Sequence, residues 1–234
     1  MLSIVPPSRS DANVRLHKNG DGHPKVDLGE ELARGALRQV APKENVFVAG
    51  DPRSCLYRIE RGMVCVYKLA TNGQRQIIRF ASPGDILGLG SSEDHMLGAQ
   101  ALQDVWVRYV PITALSRMIK IYPELAGQLY RALSDELTSL QDHLLVIGQK
   151  AALERVAYFL VDIARRNPPK DDNAPQTLVL PMTRQDMGDF LGLTLETVSR
   201  ALTKLRVQHL IDFRHGSRIT LLDRAKLETL ADVR

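Results

Sequence analysis

Residues 182–213, MTRQDMGDFLGLTLETVSRALTKLRVQHLIDF, decide how this chain is read. Thr183, with Asp186 three residues later, has the form of a capped helix start, and Met187, Phe190 and Leu191 give that helix a buried face. Gly192 then breaks the chain. Thr194 is a second N-cap, opening a helix that turns Val198, Leu202 and Leu205 inward. Two short helices joined by a brief glycine-containing turn make a helix-turn-helix, expected at about residues 184–203. The outward face of the second helix carries Glu196, Ser199, Arg200, Thr203 and Lys204.

Glu196, Ser199 and Arg200 are neighbours, because positions three and four apart share one helix surface. They fall in the N-terminal half, the part of a recognition helix that meets base edges in the major groove. An Arg there can donate to guanine O6 and N7, a Glu can accept from cytosine N4, and a Ser can serve either base of a pair. A solvated surface helix held by a Glu196–Arg200 pair would look the same in isolation; the capped helix-turn-helix around it favours readout of double-stranded DNA. Phosphate contacts are expected from Thr183, Arg184, Thr194, Thr197, Thr203 and Lys204.

Downstream, residues 210–213 and 218–222 flank Arg214-His215-Gly216-Ser217, which reads as a β-hairpin wing. Arg214, His215, Ser217 and Arg218 could then touch phosphates, although a plain surface hairpin fits the same pattern. Residues 223–234 are expected to form a C-terminal helix. Upstream, residues 151–166 place Val156, Phe159, Leu160 and Ile163 on one helical face, and residues 167–173, NPPKDDN, end that helix in a loop.

Before it, Tyr130, Leu133, Leu137, Leu140, Leu144, Ile147 and Ala151 recur at alternating spacings of three and four. Such an a/d seam, flanked by Asp135, Glu136, Asp142 and Lys150, suits a two-helix contact between copies of the chain. A helix packed on its own domain is the alternative. Residues 45–110 alternate and turn often, so they read as an antiparallel barrel or roll. Tyr57 and Ile59 face one way, Arg58 and Glu60 the other. Thr71-Asn72-Gly73-Gln74 is a hairpin signal in which Asn-Gly supplies two positive φ values, and residues 101–110 read as a single strand. A short helix is expected at 28–39.

The domain organisation is thus a flexible tail at 1–25, a sensor-like roll at 26–111, a dimerisation helix region at 112–147 and a winged helix-turn-helix at 148–222, each of the two domains with its own core. The fold class is α+β. With a net charge of +4, 44% hydrophobic and 25% charged residues, the composition is that of an ordinary globular protein and permits a DNA partner. Cys55 and Cys65 make neither a disulfide framework nor a metal site, and the six His are scattered. No run approaches the roughly 18 apolar residues of a membrane span. A cytoplasmic location, with no membrane partner, is the expectation.

With these residues in view, the chain resembles the cyclic-AMP receptor/FNR superfamily of bacterial regulators over nearly its whole length. The order of parts matches: β-roll, long dimerisation helix, winged helix-turn-helix. The local match is closest in residues 191–202, LGLTLETVSRAL, where Glu196, Ser199 and Arg200 resemble the E-x-x-S-R pattern of the FNR and FixK branch. That resemblance implies a homodimeric activator that binds TTGAT–N4–ATCAA palindromes and recruits RNA polymerase. Cyclic-nucleotide binders of the superfamily carry a Glu shortly after the PGD turn and an Arg-Ser or Arg-Thr pair beyond it. Here Pro83-Gly84-Asp85 is followed by Leu89-Gly90-Ser91, and no Arg lies between Arg79 and Arg108. Residues 1–54 lack the cysteines that hold an iron–sulfur cluster in FNR. No cofactor or metal is therefore expected, and a FixK-like member controlled by its own synthesis is what remains. A roll that senses haem or another small effector stays open as the alternative. An enzyme finds no support: the best acid–base cluster, His95 beside Glu93 and Asp94, reads as an exposed loop, and Cys65 reads as a packing residue.

Overall fold

The computed structural model describes residues 26–168, 175–213 and 217–231. The expected tail at 1–25 lies outside them. The elements run α1 (Leu28–Ala33), β1 (Ala36–Val40), β2 (Asn45–Phe47), β3 (Cys55–Arg61), β4 (Val64–Leu69), β5 (Arg75–Ala81), β6 (Ile86–Leu87), β7 (Gly98–Ala101) and β8 (Val105–Pro111). They continue α2 (Ile112–Ile121), α3 (Glu124–Gln149), α4 (Ala152–Arg166), β9 (Thr177–Val179), α5 (Arg184–Leu191), α6 (Leu195–Val207), β10 (Ile211–Asp212), β11 (Arg218–Leu221) and α7 (Arg224–Ala231). Among the described residues no helix is long and apolar enough to cross a membrane.

Two four-stranded antiparallel sheets, ordered β1-β8-β3-β6 and β2-β7-β4-β5, face each other as the roll. Alternation decides what each strand buries. Ile59, Val105 and Val107 point into the space between the sheets with Val64 and Val66, while Leu56 and Val110 point outward against α1, α2 and α3. The expected helix at 28–39 is shorter. It ends at Ala33, and residues 36–40 join the sheet beside β8, because Gly35 lets the chain pass where any Cβ would meet the Tyr109 carbonyl at 2.5 Å.

Two other expectations about the roll change. The stretch at 101–110 is two strands, since the chain turns at 102–104 between β7 and β8. The β4–β5 turn has positive φ at Gly73 but not at Asn72. Gly73 N–H donates to Ala70 C=O at 2.9 Å and Ala70 N–H to Gln74 C=O at 2.9 Å, which is a three-residue loop with glycine in the left-handed position.

Helix α2 stops at Tyr122, extended at φ −126° and ψ 81°, because Pro123 disfavours a helical residue before it. Helix α3 then runs 26 residues, about 39 Å at 1.5 Å per residue. It ends at Gln149, where Lys150 is extended. Ala151 is therefore not on the seam helix. It precedes α4, and its N–H donates to Glu154 at 2.8 Å. On α3, Tyr130 is 72% exposed, Leu137 57% and Leu144 68%, with Leu133 also exposed and Leu140 and Ile147 half-buried.

The roll keeps its own core between the sheets, and a second cluster joins its outer face to the helical segment. That second cluster runs from Met63, Cys65, Ile77 and Phe80 of the roll through Val156, Phe159 and Leu160 of α4 to Met187, Phe190 and Leu191 of α5. Three rings bridge the parts, with Phe80, Phe159 and Phe190 centroids 5.2–5.8 Å apart. Cys65 is fully buried and its thiol is pushed up to about 11 by burial, which agrees with a packing role.

His143 of α3 ties the long helix to α5. Its ring stacks on Phe190 at 4.0 Å and its Nε2–H donates to the Phe190 carbonyl at 3.0 Å. Burial holds its pKa below the ordinary imidazole value, outweighing the Phe190 carbonyl and the Asp162 charge. The folded protein thus resists a proton that the unfolded chain accepts below about pH 6.5. Stability is expected to fall as pH drops through that value. Melting curves between pH 7.5 and 5.5 should show a smaller decrease for His143→Gln than for the parent.

Candidate nucleic-acid interface

Thr183 opens α5 with a reciprocal cap. Its hydroxyl accepts from Asp186 N–H at 3.0 Å, and the Asp186 carboxylate accepts from Thr183 N–H at 2.8 Å. Gly192 closes the helix in the left-handed region at φ 64° and ψ 40°. Thr194 caps α6, accepting from Thr197 N–H at 3.2 Å. The turn is tight: a Cβ at Gly188 would meet the Leu193 carbonyl at 2.5 Å. Val198, Ala201, Leu202 and Leu205 are buried, so the opposite side of α6 is fixed outward. The helix extends beyond the expected boundary at 203 to Val207.

That outward side brings together the three residues expected to read bases. Glu196 and Arg200 are exposed and Ser199 half-buried. Hydrogen bonds from its own N–H and the Thr194 hydroxyl keep the Glu196 carboxyl below the usual carboxylate range, so it is a ready acceptor. Among the described residues no ion pair within 4.0 Å joins Glu196 to Arg200. Arg200 instead donates to Thr197 Oγ1 at 3.3 Å, leaving most of its N–H groups free. Thr203 is exposed but bonds back to the Ser199 carbonyl at 2.9 Å, and Lys204 is exposed one turn further on. Thr194→Ala is expected to cost about 1 kcal/mol of stability by leaving the Thr197 N–H without its cap. Chemical denaturation should show that loss at unchanged m-value.

Thr183 and Arg184 are exposed at the start of α5, beside the turn. The wing is a three-stranded sheet, β10-β11-β9, with Arg218 opposite Val179 and Ile219 opposite Leu178. Strand β9 has no counterpart in the sequence reading: three residues with only Leu178 buried give no alternation to detect. Ser217 and Arg218 are exposed, whereas Arg214 and His215 lie outside the described residues.

Two further features escaped the sequence. Arg75 at the start of β5 reaches Asp186 and, at 3.4 Å, Asp189 of α5, while Gln76 Nε2 donates to the Asp189 carbonyl. The carboxylate that caps α5 therefore also docks it on the roll. Arg184 and Arg206 both lie over the Phe213 ring, at 5.5 and 4.8 Å from its centroid. Arg75 and Arg184 lie far in the chain from the groups they meet, and Arg206 and Phe213, though seven residues apart, sit on different elements, so neither pairing has a periodic signal.

In the roll, a cavity of about 100 Å³ is lined by Arg53, Arg79, Gly88, His95 and, from α3, Glu136. Two guanidiniums thus approach the space that the stretch 80–107 itself leaves without an Arg. Both are engaged: Arg79 pairs with Glu136 at 3.3 Å and donates to the Ile86 carbonyl at 2.8 Å, and Arg53 donates to the Ser92 carbonyl at 2.7 Å. His95 is not on an exposed loop. It is 5% exposed and stacks on Phe47 at 3.7 Å, because an imidazole face packs well on an aromatic ring. Among the described residues no group of three His, Cys, Asp or Glu is placed to hold a metal ion.

The chain matches two family models, the Crp-like helix-turn-helix domain over residues 154–230 and the cyclic nucleotide-binding domain over residues 37–122. It is 39% identical over 222 residues to the nitrogen fixation regulation protein FixK of Bradyrhizobium diazoefficiens, covering 95% of this chain and 93% of that protein. It is 33% identical to the FixK of Rhizobium meliloti, covering 82% and 85% of the two chains. The solved structure of FixK2 from Bradyrhizobium japonicum superposes with a TM-score of 0.79 at 38% identity, over 84% of this chain and 96% of that one.

Proposed function

The chain belongs to the Crp/FNR family of transcription regulators, in its FixK-like branch, and from that membership we propose that it works as a homodimer on palindromic DNA. The observation that carries the proposal is the outward face of α6: Glu196, Ser199 and Arg200 stand together, unpaired by ions, at the capped end of a helix fixed by its buried face. The half-site is TTGAT, and Arg200 reads its guanine with two N–H donors. The exposed stripe of α3 pairs two copies and sets their α6 helices about 34 Å apart, one turn of DNA. Thr183, Arg184, Thr194, Thr197, Thr203, Lys204, Arg214, His215, Ser217 and Arg218 hold phosphates, which adds affinity without choosing sequence.

Bound beside a promoter in the cytoplasm, the dimer recruits RNA polymerase and activates transcription. It does so without a bound effector in the cavity between the sheets, which at about 100 Å³ is small beside the roughly 300 Å³ or more of ordinary ligand sites and beside which Arg79 pairs with Glu136. Fluorescence anisotropy of the untreated protein in air, on a TTGAT–N4–ATCAA duplex and on one with the half-site G·C pairs swapped, tests this reading. Tight binding to the first alone is expected. Binding that appears only after addition of haem or another small molecule would instead establish an effector-dependent roll.

A further inference from the structure

We propose that Arg206 and Arg184, set over the ring of Phe213, form one phosphate clamp at the foot of the wing, with Phe213 as the positioning residue. The inference rests on the DNA-binding reading above and extends it from Arg184 to Arg206 and Phe213, both outside the recognition face.

The geometry is specific. Arg184 is the first residue of α5, Arg206 lies in the last turn of α6, and Phe213 follows β10 at the entrance to the wing connection. Three separate elements therefore converge on one ring, with guanidinium carbons 5.5 and 4.8 Å from its centroid. Phe213 is half-buried against the main apolar cluster, so its ring is anchored, while both arginines are exposed. Contact between a guanidinium and a ring face is favourable even at exposed sites. It also removes rotamer freedom from two long side chains before any ligand arrives.

Two like charges held over the same ring repel each other, and among the described residues no carboxylate forms an ion pair with either. An anion between them relieves that repulsion. The planar fork of Arg matches phosphate oxygens bidentately, and the N-terminus of α5 adds its own positive field on the Arg184 side. A role for Arg206 at the α6 C-terminus alone, favourable to the helix dipole, requires no ring and leaves Arg184 unexplained. The ligand is the DNA sugar–phosphate backbone flanking the half-site, beside Thr183, which immediately precedes Arg184.

The test compares the full-length parent with Arg206→Gln, Phe213→Leu and Phe213→Tyr, on the palindrome and on the G·C-swapped duplex, between 50 and 200 mM salt. Each lost phosphate contact lowers the slope of log K against log salt by about 0.9, so Arg206→Gln in a dimer should flatten it by about two. Affinity for the two duplexes should fall by the same factor. Phe213→Leu should flatten the slope in the same direction, and Phe213→Tyr, which keeps the ring, should restore the parent value. Melting curves identify variants that merely unfold. A slope unchanged by Arg206→Gln overturns the clamp even if the parent still prefers the palindrome. A parent with no preference for the palindrome, but with a slope that Arg206→Gln flattens, overturns the base-reading proposal and leaves the clamp standing.

Discussion

Arg200→Ala is expected to remove most of the preference for the palindrome while leaving the protein folded and able to hold DNA loosely. A bidentate contact to guanine discriminates by about 1–3 kcal/mol, and a dimer has one Arg200 per half-site. Each half-site therefore loses roughly 5- to 160-fold in affinity. The side chain is exposed and its one described hydrogen bond, to Thr197 Oγ1, lies on the surface, so stability should change by under about 0.5 kcal/mol. Anisotropy titrations on cognate and G·C-swapped duplexes check the prediction. The variant should lose most of its affinity for the cognate duplex and little for the swapped one, so that the two affinities converge. Equal losses on both duplexes would instead make Arg200 a phosphate contact.

The second large effect is expected on α3. Leu137→Glu places a carboxylate at the centre of the exposed stripe and, in a symmetric dimer, opposite its own copy. Burial of each large apolar side chain of that stripe contributes about 1.5–3 kcal/mol, and a buried unpaired charge forfeits more than the residue supplied. Light scattering should report a monomer where the parent is a dimer. Without linkage the second half-site is no longer bound at high effective concentration, so affinity for the palindrome should drop by about 10²–10⁴-fold. Asp135→Ala, on the same helix but off the stripe, should leave both mass and affinity unchanged. A variant that stays dimeric would place the interface elsewhere.

What the sequence disclosed depended on how local the cause was. The caps at Thr183 and Thr194, the turn at Gly192 and the buried face of Val198, Leu202 and Leu205 are set by neighbours in the chain, and the structure has them where the spacing put them. The limits of α3 were less legible. A heptad pattern continues numerically through Ala151, but the chain leaves the helix after Gln149, and spacing alone does not register an extended Lys150. Strand β9 was hidden because a three-residue edge strand has no period.

Long-range pairings left no trace at all. Arg75 meets α5 across more than a hundred residues, and His95 stacks on Phe47 although its neighbours Glu93 and Asp94 suggested a solvated loop. The apolar cluster that the outer face of the roll shares with the helices was equally invisible, since Ile77 and Phe80 sit in an ordinary strand pattern until Phe159 and Phe190 are seen against them.

The central claim is that two recognition helices, held by one dimer, read two half-sites on the same face of DNA. The most direct measurement is affinity for TTGAT half-sites separated by spacers lengthened stepwise from the four-base-pair spacer of the palindrome. Five added base pairs turn one half-site by about half a helical turn, out of reach of a rigid dimer. The account predicts tight binding at the original spacing and a fall to single-half-site affinity with five added base pairs. Affinity indifferent to spacing would contradict it, because the half-sites would then be read independently.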